Sequence, residues 1–270
     1  APELAEIGAA VALSANATRE LRRLGVLDPI AAVSTEPSEL IYRDWRDGRR
    51  IAAFPVHEEL RYQRRFGAPY YGIHRADLQR VLSGALGGAG LHLGHRLVEL
   101  VDLGDGIRLE FADGRSAEAD LVIGADGVRS LVRRFVTGGE DAVYSGTSAF
   151  RGIVPVDRLP SLPDPRAIQF WMGPDAHLLH YAIGGRGEDV NFFAVTEGPE
   201  VWPHRDKWVT EAEPGEAVAA FEGWHPAVTE MVAAGWVTLR WGLFTVRPLL
   251  RWYRGRAVLM GDAAHAMLPH

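Results

Sequence analysis

The sequence predicts an α/β fold in which a unit with a parallel sheet carries an inserted α+β unit built on a mostly antiparallel sheet. Two apolar strands, at 120–124 and 257–260, predict the first unit, because each runs into a turn of glycine and aspartate that opens a helix. The segment 146–251 predicts the second unit, because its aromatic residues alternate with others among prolines and glycines. The chain therefore leaves the first unit, forms the inserted sheet, and returns.

Local patterns predict the elements up to residue 126 in order. The order is an apolar entry and a helix that stops at Gly25, a hairpin of strands 40–45 and 49–54 around Asp47-Gly48, a helix over 74–86, and short strands at 90–93, 96–103 and 107–111. The nearly continuous apolar run 119–126 is typical of a strand covered on both faces. Inside the inserted sheet, one helical stretch is expected over 214–234.

Composition excludes several classes of function. The chain has 270 residues, of which 47% are apolar and 24% charged, as in ordinary globular proteins with one large domain or two interleaved ones. A net charge of −6 without a basic tract disfavours a nucleic-acid partner, and apolar stretches shorter than about 18 residues disfavour stable membrane insertion. The absence of cysteine excludes disulfides, thiol catalysis and thiolate metal sites. A cytoplasmic enzyme without a metal site fits these observations.

Two turns carry the chemistry that the sequence suggests. Asp126 and Gly127 follow the first strand, and Gly127 is suited to a positive φ before a helix with arginines in its first turns. Gly261 and Asp262 follow the second strand, where a carboxylate can accept hydrogen bonds from sugar hydroxyls. Each turn alone is more typical of a plain strand, turn and helix. Their joint occurrence after apolar strands is the more specific signal.

The order of six sequence pieces resembles that of the FAD-dependent aromatic hydroxylases, of the salicylate hydroxylase and hydroxybenzoate hydroxylase type. The resemblance covers nearly the whole chain. The pieces are 8–21 with Asn16 and Arg19, His74-Arg75-Ala76-Asp77-Leu78, the Asp126-Gly127 turn, Phe150-Arg151-Gly152, His177-Leu178-Leu179-His180-Tyr181, and the closing Gly261-Asp262 turn.

This resemblance implies two domains. An FAD-binding Rossmann-like domain comprises 1–35, 72–145 and 253–270, and a substrate-binding domain comprises 36–71 and 146–252. The chain contains no Gly-x-Gly-x-x-Gly. The family's first strand, its phosphate loop and its acidic ribose ligand are therefore expected before Ala1, and a further helix after His270. The chain is interpreted as an internal fragment.

The resemblance also implies which residues contact FAD. Asp262 is expected to bond the ribityl chain, the helix that begins near Ala263 to point at the flavin pyrimidine edge, and Arg75 to reach the phosphate and ribityl region. Arg75 is otherwise a surface arginine of a helix. The full set of implied cofactor residues is Ala12, Arg75, Leu97, Asp126, Gly127, Gly261, Asp262 and Ala263.

Four residues are implied at the substrate. His177 and Tyr181 lie on one face of a predicted strand, with His180 on the other, and at this spacing a histidine and a tyrosine touch the substrate in relatives. Without the family, His177 is interpreted as a hydrogen-bonded sheet residue. His270 matches a position that lies over the substrate ring in relatives, so the resemblance implies that it acts as a base or an anchor, and that His177, Tyr181 and His270 are the catalytic residues. Arg151 pairs with a substrate carboxylate or with an acidic neighbour, and the sequence leaves both open.

By resemblance, the complete protein is a monooxygenase that hydroxylates a phenolic or hydroxy-heteroaromatic acid with NADH or NADPH and O₂ through a flavin hydroperoxide. Its partners are then a small aromatic substrate and O₂, and a homodimer is compatible with the family. Two other hypotheses are a flavin oxidoreductase for a larger polyketide-like or isoprenoid substrate, which aromatic residues would also suit, and a non-catalytic nucleotide-binding scaffold.

Overall fold

A computed structural model describes residue 4 and residues 10–87, 90–204, 207–235 and 237–268. The strands are β1 Ala10–Leu13, β2 Glu39–Asp44, β3 Arg50–Pro55, β4 Tyr71–His74, β5 Leu97–Asp102, β6 Ile107–Phe111, β7 Ser116–Ala119, β8 Val122–Gly124, β9 Val143–Pro155, β10 Ile168–Gly173, β11 Ala176–Ile183, β12 Asp189–Glu197, β13 Val209–Glu211, β14 Leu239–Thr245, β15 Tyr253–Arg254 and β16 Ala257–Leu259. The α-helices are α1 Ala15–Arg23, α2 Leu27–Ala31, α3 Arg61–Phe66, α4 Arg75–Ala85, α5 Leu131–Thr137, α6 Glu216–Ala220, α7 Pro226–Ala234 and α8 Asp262–His265, with 3₁₀ turns at Glu58–Leu60 and Val156–Arg158.

The largest sheet has eight strands in the order β13-β14-β9-β12-β11-β10-β2-β3. Every neighbouring pair in it is antiparallel except β10 with β2, which is parallel. The hairpin β2–β3 therefore joins the inserted sheet from a distant part of the chain. This arrangement agrees with the predicted mostly antiparallel sheet, while the proposed domain boundaries stay a prediction.

One face of this sheet forms the largest core. Phe150, Trp171, Leu178 and Phe192 point to that face and are almost fully buried, and α6 and α7 cover it with residues such as Met231. Alternation along each strand sends the intervening residues to the opposite face. The second face is the one that meets β1 and β4, since Ala10 and Ala12 pack against Ile168, Tyr181 and Ile183.

A smaller sheet, in the order β15-β16-β8, contains the parallel pair β8 and β16. Helix α5 lies against both strands, and Gly124 permits this approach because a Cβ there would stand 2.6 Å from Val132. The core of this unit includes Leu100, Ile107, Val136 and Leu259. Two further sheets complete the fold, an antiparallel pair β1-β4 and the antiparallel meander β5-β6-β7.

Several predicted elements are confirmed. Helix α1 ends before Gly25, which has a φ of +73°, and β2 and β3 form the predicted hairpin. Helix α4 begins after His74, whose Nδ1 accepts a hydrogen bond from the amide of Ala76 at 3.2 Å. The expected FAD-domain entry at 8–9 and the expected site residue His270 lie outside the described residues.

Three local predictions are wrong. Residues 90–93 form a turn and an irregular segment, and the third strand of the meander is β7, whose Ser-Ala-Glu-Ala sequence has little strand propensity and is held by pairing with β6. The run 119–126 is not covered on both faces, because Ile123 points to a face of the strand that is open and is 57% exposed. The predicted helix over 214–234 is two helices, divided at Gly223 and restarted at Pro226.

The helices that the structure describes include none that is both long enough and apolar enough to cross a membrane.

Candidate active site

The two turns singled out in the sequence lie side by side. Strands β8 and β16 are parallel neighbours, with Ala257 opposite Val122 and Leu259 opposite Gly124. The amide of Met260 donates to the carbonyl of Gly124 at 2.9 Å, so the pairing continues to the ends of both strands. Parallel strands present their carboxyl ends at the same edge, where ligands of α/β sheets bind. The Asp126-Gly127 turn and the Gly261-Asp262 turn therefore share one edge.

Asp126 has a structural task in its own turn. Its carboxylate accepts hydrogen bonds from the hydroxyl of Ser130 at 2.5 Å and from the amides of Leu131 and Val132 at 2.8 and 3.2 Å. These contacts cap the start of α5, where backbone amides have no partner within the helix. Gly127 supplies the positive φ, +76°, that the turn requires. The turn is thus preformed and leaves its backbone as the contact surface for a ligand.

Asp262 differs from Asp126 in its contacts. Within the part of the chain that the structure describes, its exposed carboxylate has no hydrogen-bond partner. It follows Gly261, whose φ of +61° and ψ of −144° are a conformation essentially restricted to glycine. No atom of the described residues lies within 4 Å of a Cβ placed on Gly261, so a ligand can come close to this backbone. Asp262 is therefore an available acceptor at the open edge.

Arg133 connects the two turns, a role that no sequence motif predicted. Its guanidinium donates from Nη1 to the carbonyl of Ala263 at 3.0 Å, from Nη2 to that of Val128 at 2.6 Å, and from Nε to that of Glu140 at 3.3 Å. The residue is fully buried, and desolvation lowers its pKa although Asp141 and Asp126 oppose the shift. Arg133 thus joins the turn after β8 to the helix after β16.

The other implied cofactor residues occupy different surroundings. Ala12 pairs with Gly72 and packs against the cluster around Tyr181, whereas Leu97 pairs with Phe111 at the border of the smaller core. Arg75 is exposed in the first turn of α4. The methyl group of Ala263 is fully buried, so only the backbone of this residue is left to face a ligand.

The proposed substrate residues share one face of the large sheet. His177, Leu179 and Tyr181 alternate along β11 on the side that meets β1 and β4, as the spacing predicted. Tyr181 is 5% exposed, and its ring stands 3.0 Å from where a Cβ of Gly72 would be. Burial raises the pKa of Tyr181, partly opposed by the positive charge of Arg151. The phenol therefore stays protonated at neutral pH and offers a donor.

His180 points away from this site. It is fully buried in the helix-covered face, and neither ring nitrogen has a hydrogen-bond partner among the described residues. Burial and the nearby positive charge of Arg43 lower the pKa of His180 to about 3. His180 is accordingly a neutral core residue, in agreement with the alternation that the sequence predicted.

Comparisons with known proteins decide the family. The family model for the FAD binding domain matches residues 8–270. The chain belongs to the FAD-binding monooxygenase family. The solved salicylate hydroxylase substrate complex superposes with a TM-score of 0.80 at 29% sequence identity, covering 97% of this chain and 67% of that one. The predicted fold class and the suspected family are therefore confirmed.

Two curated members of the FAD-binding monooxygenase family illustrate the similarity. The 3-amino-4-hydroxybenzoate 2-monooxygenase of Streptomyces cremeus is 41% identical over 100% of this chain. The 6-hydroxynicotinate 3-monooxygenase of Bordetella bronchiseptica is 35% identical, also over 100% of this chain. This chain spans 66% of the length of the first relative, just under two thirds, and 70% of the second.

The residues present fit part of an FAD cofactor. The observation that supports this is the shared edge, where two backbone turns opened by Gly127 and Gly261 lie next to the carboxylate of Asp262, which has no hydrogen-bond partner among the described residues. Amide groups and a carboxylate suit phosphate oxygens and sugar hydroxyls respectively. Asp262 and the two turns are thus the residues of this chain that would hold the cofactor, with Arg133 holding the turns together.

Proposed function

We propose that the full-length protein is an FAD-dependent monooxygenase that hydroxylates the ring of an aromatic acid carrying a ring hydroxyl. NADH or NADPH serves as reductant and O₂ as the second substrate. The observation that carries this proposal is the placement of His177 and Tyr181 on the sheet face that packs against β1, the strand of the implied cofactor residue Ala12. The names of the two relatives support the substrate class, because hydroxybenzoate and hydroxynicotinate are both hydroxylated ring acids.

The chain's own residues are proposed to bracket the substrate ring. Residues 177 and 181 lie about 13 Å apart along an extended strand, so their side chains reach one small ring from opposite ends. Leu179, half-buried between them, supplies an apolar floor. This arrangement holds the ring flat against the sheet and excludes water from beneath it. His270, which the structure does not describe, stays a candidate third residue.

The two polar residues then have different tasks. An imidazole nitrogen of His177 accepts the proton of the substrate hydroxyl, because histidine titrates near neutral pH and a phenolate ring is richer in electrons than a phenol. The hydroxyl of Tyr181 stays protonated and donates a hydrogen bond to the opposite end of the substrate. When bound, FAD supplies the electron transfer from NAD(P)H and the activation of oxygen.

The test uses the full-length protein purified with its flavin. Oxidation of NADH and of NADPH and uptake of O₂ are measured with 3-amino-4-hydroxybenzoate, 6-hydroxynicotinate and salicylate, and products are identified by mass. We expect at least one acid to stimulate both rates and to gain one oxygen atom. A flavin-loaded protein that no ring compound stimulates would overturn the proposal and favour a scaffold.

The role of His177 is tested in the same assay. We expect His177→Gln to lower the hydroxylation rate about 10²- to 10⁴-fold, the range for a lost general base, and to remove an ionisation near neutral pH from the rate profile. His57→Gln is the matched control, since His57 is exposed, pairs with Glu36 and lies outside the strands of the large sheet. An unchanged pH profile in His177→Gln would exclude His177 as the base.

A further inference from the structure

Arg151 lies at one end of a row of side chains that crosses the open face of the large sheet. Successive pairings of directly opposite residues define this row. The row runs through Tyr42, Phe170, Leu179, Phe193 and Arg151. Tyr42 and Phe170 stack at 4.8 Å, so the row is apolar and aromatic up to its last member. The row therefore combines an apolar surface with one guanidinium group at its end.

Two aromatic rings hold this guanidinium. The central carbon of the Arg151 group stands 4.9 Å from the ring centroid of Phe193 and 5.1 Å from that of Trp241. Such cation–π contacts strengthen as water is removed, and all three side chains are half-buried. The rings restrict the arginine to a small set of rotamers. Its N–H donors form a planar fork, which matches the two oxygens of a carboxylate.

The position of Arg151 relative to the proposed catalytic residues is also suitable. Neighbouring strands are about 4.8 Å apart, so the Cα of Arg151, two strands from Leu179, is about 10 Å from it. An extended arginine and a benzoate-sized ring together span that distance. The charge of Arg151 already reaches the phenol of Tyr181, as its effect on that residue's pKa indicates. The guanidinium and the proposed substrate floor thus belong to one site.

We propose that Arg151 selects an aromatic carboxylate as the substrate, by binding the carboxylate of a ring that lies over Leu179 and Phe193. This inference rests on the proposed function and adds to it the residue that binds the carboxylate of the substrate. Of the two interpretations of Arg151 that the sequence left open, this inference adopts the substrate carboxylate.

The test compares an acid with its uncharged isostere. Dissociation constants of 3-amino-4-hydroxybenzoate and of 3-amino-4-hydroxybenzamide are measured by titration calorimetry on the full-length, FAD-loaded protein. We expect the wild type to bind the acid about 10- to 100-fold more tightly than the amide, the range for hydrogen bonds to a charged group. In Arg151→Gln that preference is lost, while the amide binds as before. Arg151→Lys retains part of it, because it keeps the charge without the fork.

Arg254→Gln is the matched control. The Arg254 guanidinium also lies over an aromatic ring, that of Phe135 at 4.8 Å, but on β15 and away from the sheet face. We expect this variant to keep the preference of the wild type for the acid. Unchanged amide binding in Arg151→Gln shows that the site is intact.

Three outcomes overturn the inference. One is an acid preference that survives in Arg151→Gln, and another is an equal loss of acid and amide binding, which indicates a structural role. The third is a wild-type protein that hydroxylates a ring without a carboxylate and binds no aromatic acid. In that case Arg151 does not select the substrate and the proposed substrate class is wrong, whereas the monooxygenase activity itself stands. A protein that no ring compound stimulates is the separate failure of the proposed function.

Discussion

At the scale of single residues, strand β11 places two histidines in opposite environments. His177 is half-buried on the face proposed to bind substrate, and His180, three positions later, is fully buried on the opposite face. A buried imidazole without partners loses the hydration of its charged form, so its pKa falls to about 3. The same side chain is therefore a candidate base at one position and a source of instability in acid at the other.

His180 predicts a specific pH dependence of stability. Its pKa is lower in the folded protein than the usual value near 6.5, so the unfolded chain binds a proton that the folded chain does not. The free energy of unfolding is therefore lost as the pH falls from about 6.5 towards 3, by about 1.4 kcal/mol per unit from this group. We expect His180→Leu to remove this loss and to stabilise the protein at pH 7 by about 1–2 kcal/mol, since two unpartnered nitrogens disappear.

Urea unfolding of the full-length protein at pH 5 and pH 7 checks this prediction. The difference between wild type and His180→Leu isolates His180 from the carboxylates that also titrate in acid. His92→Gln is the control, because His92 is exposed. Parallel stability curves for wild type and His180→Leu between the two pH values would contradict the assignment of a neutral buried imidazole.

At the scale of elements, the candidate cofactor edge depends on two short helices held by one arginine. Helix α5 is capped by Asp126 and Ser130, but α8 has only four residues and no side-chain cap. Such a short helix depends on its tertiary contacts. Arg133 provides them through the carbonyl of Ala263, and the core provides the rest through Ala263 and Ala264. The geometry of both turns is therefore coupled.

Removal of this arginine is expected to affect stability and flavin binding together. Arg133→Met leaves three carbonyls without the guanidinium, at a cost of about 3 kcal/mol in the free energy of unfolding. We also expect the dissociation constant of FAD to rise at least about tenfold, because the turns are no longer held at one separation. Denaturant unfolding and fluorescence titration with FAD measure the two effects.

Arg134→Met is the neighbouring control. Arg134 is exposed and pairs with Asp141 at 2.6 Å, a surface contact worth about 1 kcal/mol or less. This variant should retain the FAD affinity of the wild type. Equal FAD affinities for Arg133→Met and the wild type would show that the turns keep their places without Arg133.

At the scale of the whole molecule, β4 packs closely against β11 of the large sheet, along what we call the seam. Gly72 of β4 lies so close to β11 that a Cβ on it would stand 2.7 Å from the carbonyl oxygen of Ala182 and 3.0 Å from the ring of Tyr181. The backbones of Thr35 and Gly72 also exchange two hydrogen bonds, each amide donating to the other residue's carbonyl. This close packing holds the proposed substrate tyrosine beside the strand that carries Ala12. The close approach of β4 to β11 thus depends on Gly72 having no side chain.

A single methyl group is therefore expected to disturb the seam. Gly72→Ala forces β4 away from β11, which we expect to cost about 1–3 kcal/mol in the free energy of unfolding and to weaken the binding of aromatic acids. Gly84→Ala is the control, because none of the described residues has an atom within 4 Å of its Cβ position in α4 and alanine favours a helix. Unfolding and calorimetric titration of both variants give the measurement, and a Gly72→Ala protein as stable as Gly84→Ala would refute the argument.

The sequence predicted those features that depend on neighbouring residues. Turn glycines, the hairpin at Asp47-Gly48 and the alternation that separates His177 from His180 are local, and the structure shows all of them. Strand β7 was missed, because its four residues have low strand propensity and are strands only through pairing with β6. The open side of Ile123 was missed as well, since an apolar run alone does not reveal how many of its faces are covered.

The sequence by itself determined the family, the fold class and the order of the two turns, because these follow from motifs and from the spacing of apolar residues, which can be recognised in the sequence alone. Only the tertiary structure decided that Asp126 caps a helix while Asp262 stays available, that Arg133 joins the turns, and that Gly72 brings β4 onto Tyr181. The physical reason is that hydrogen-bond partners and steric gaps between residues far apart in the chain arise from packing, which no local pattern of residues encodes.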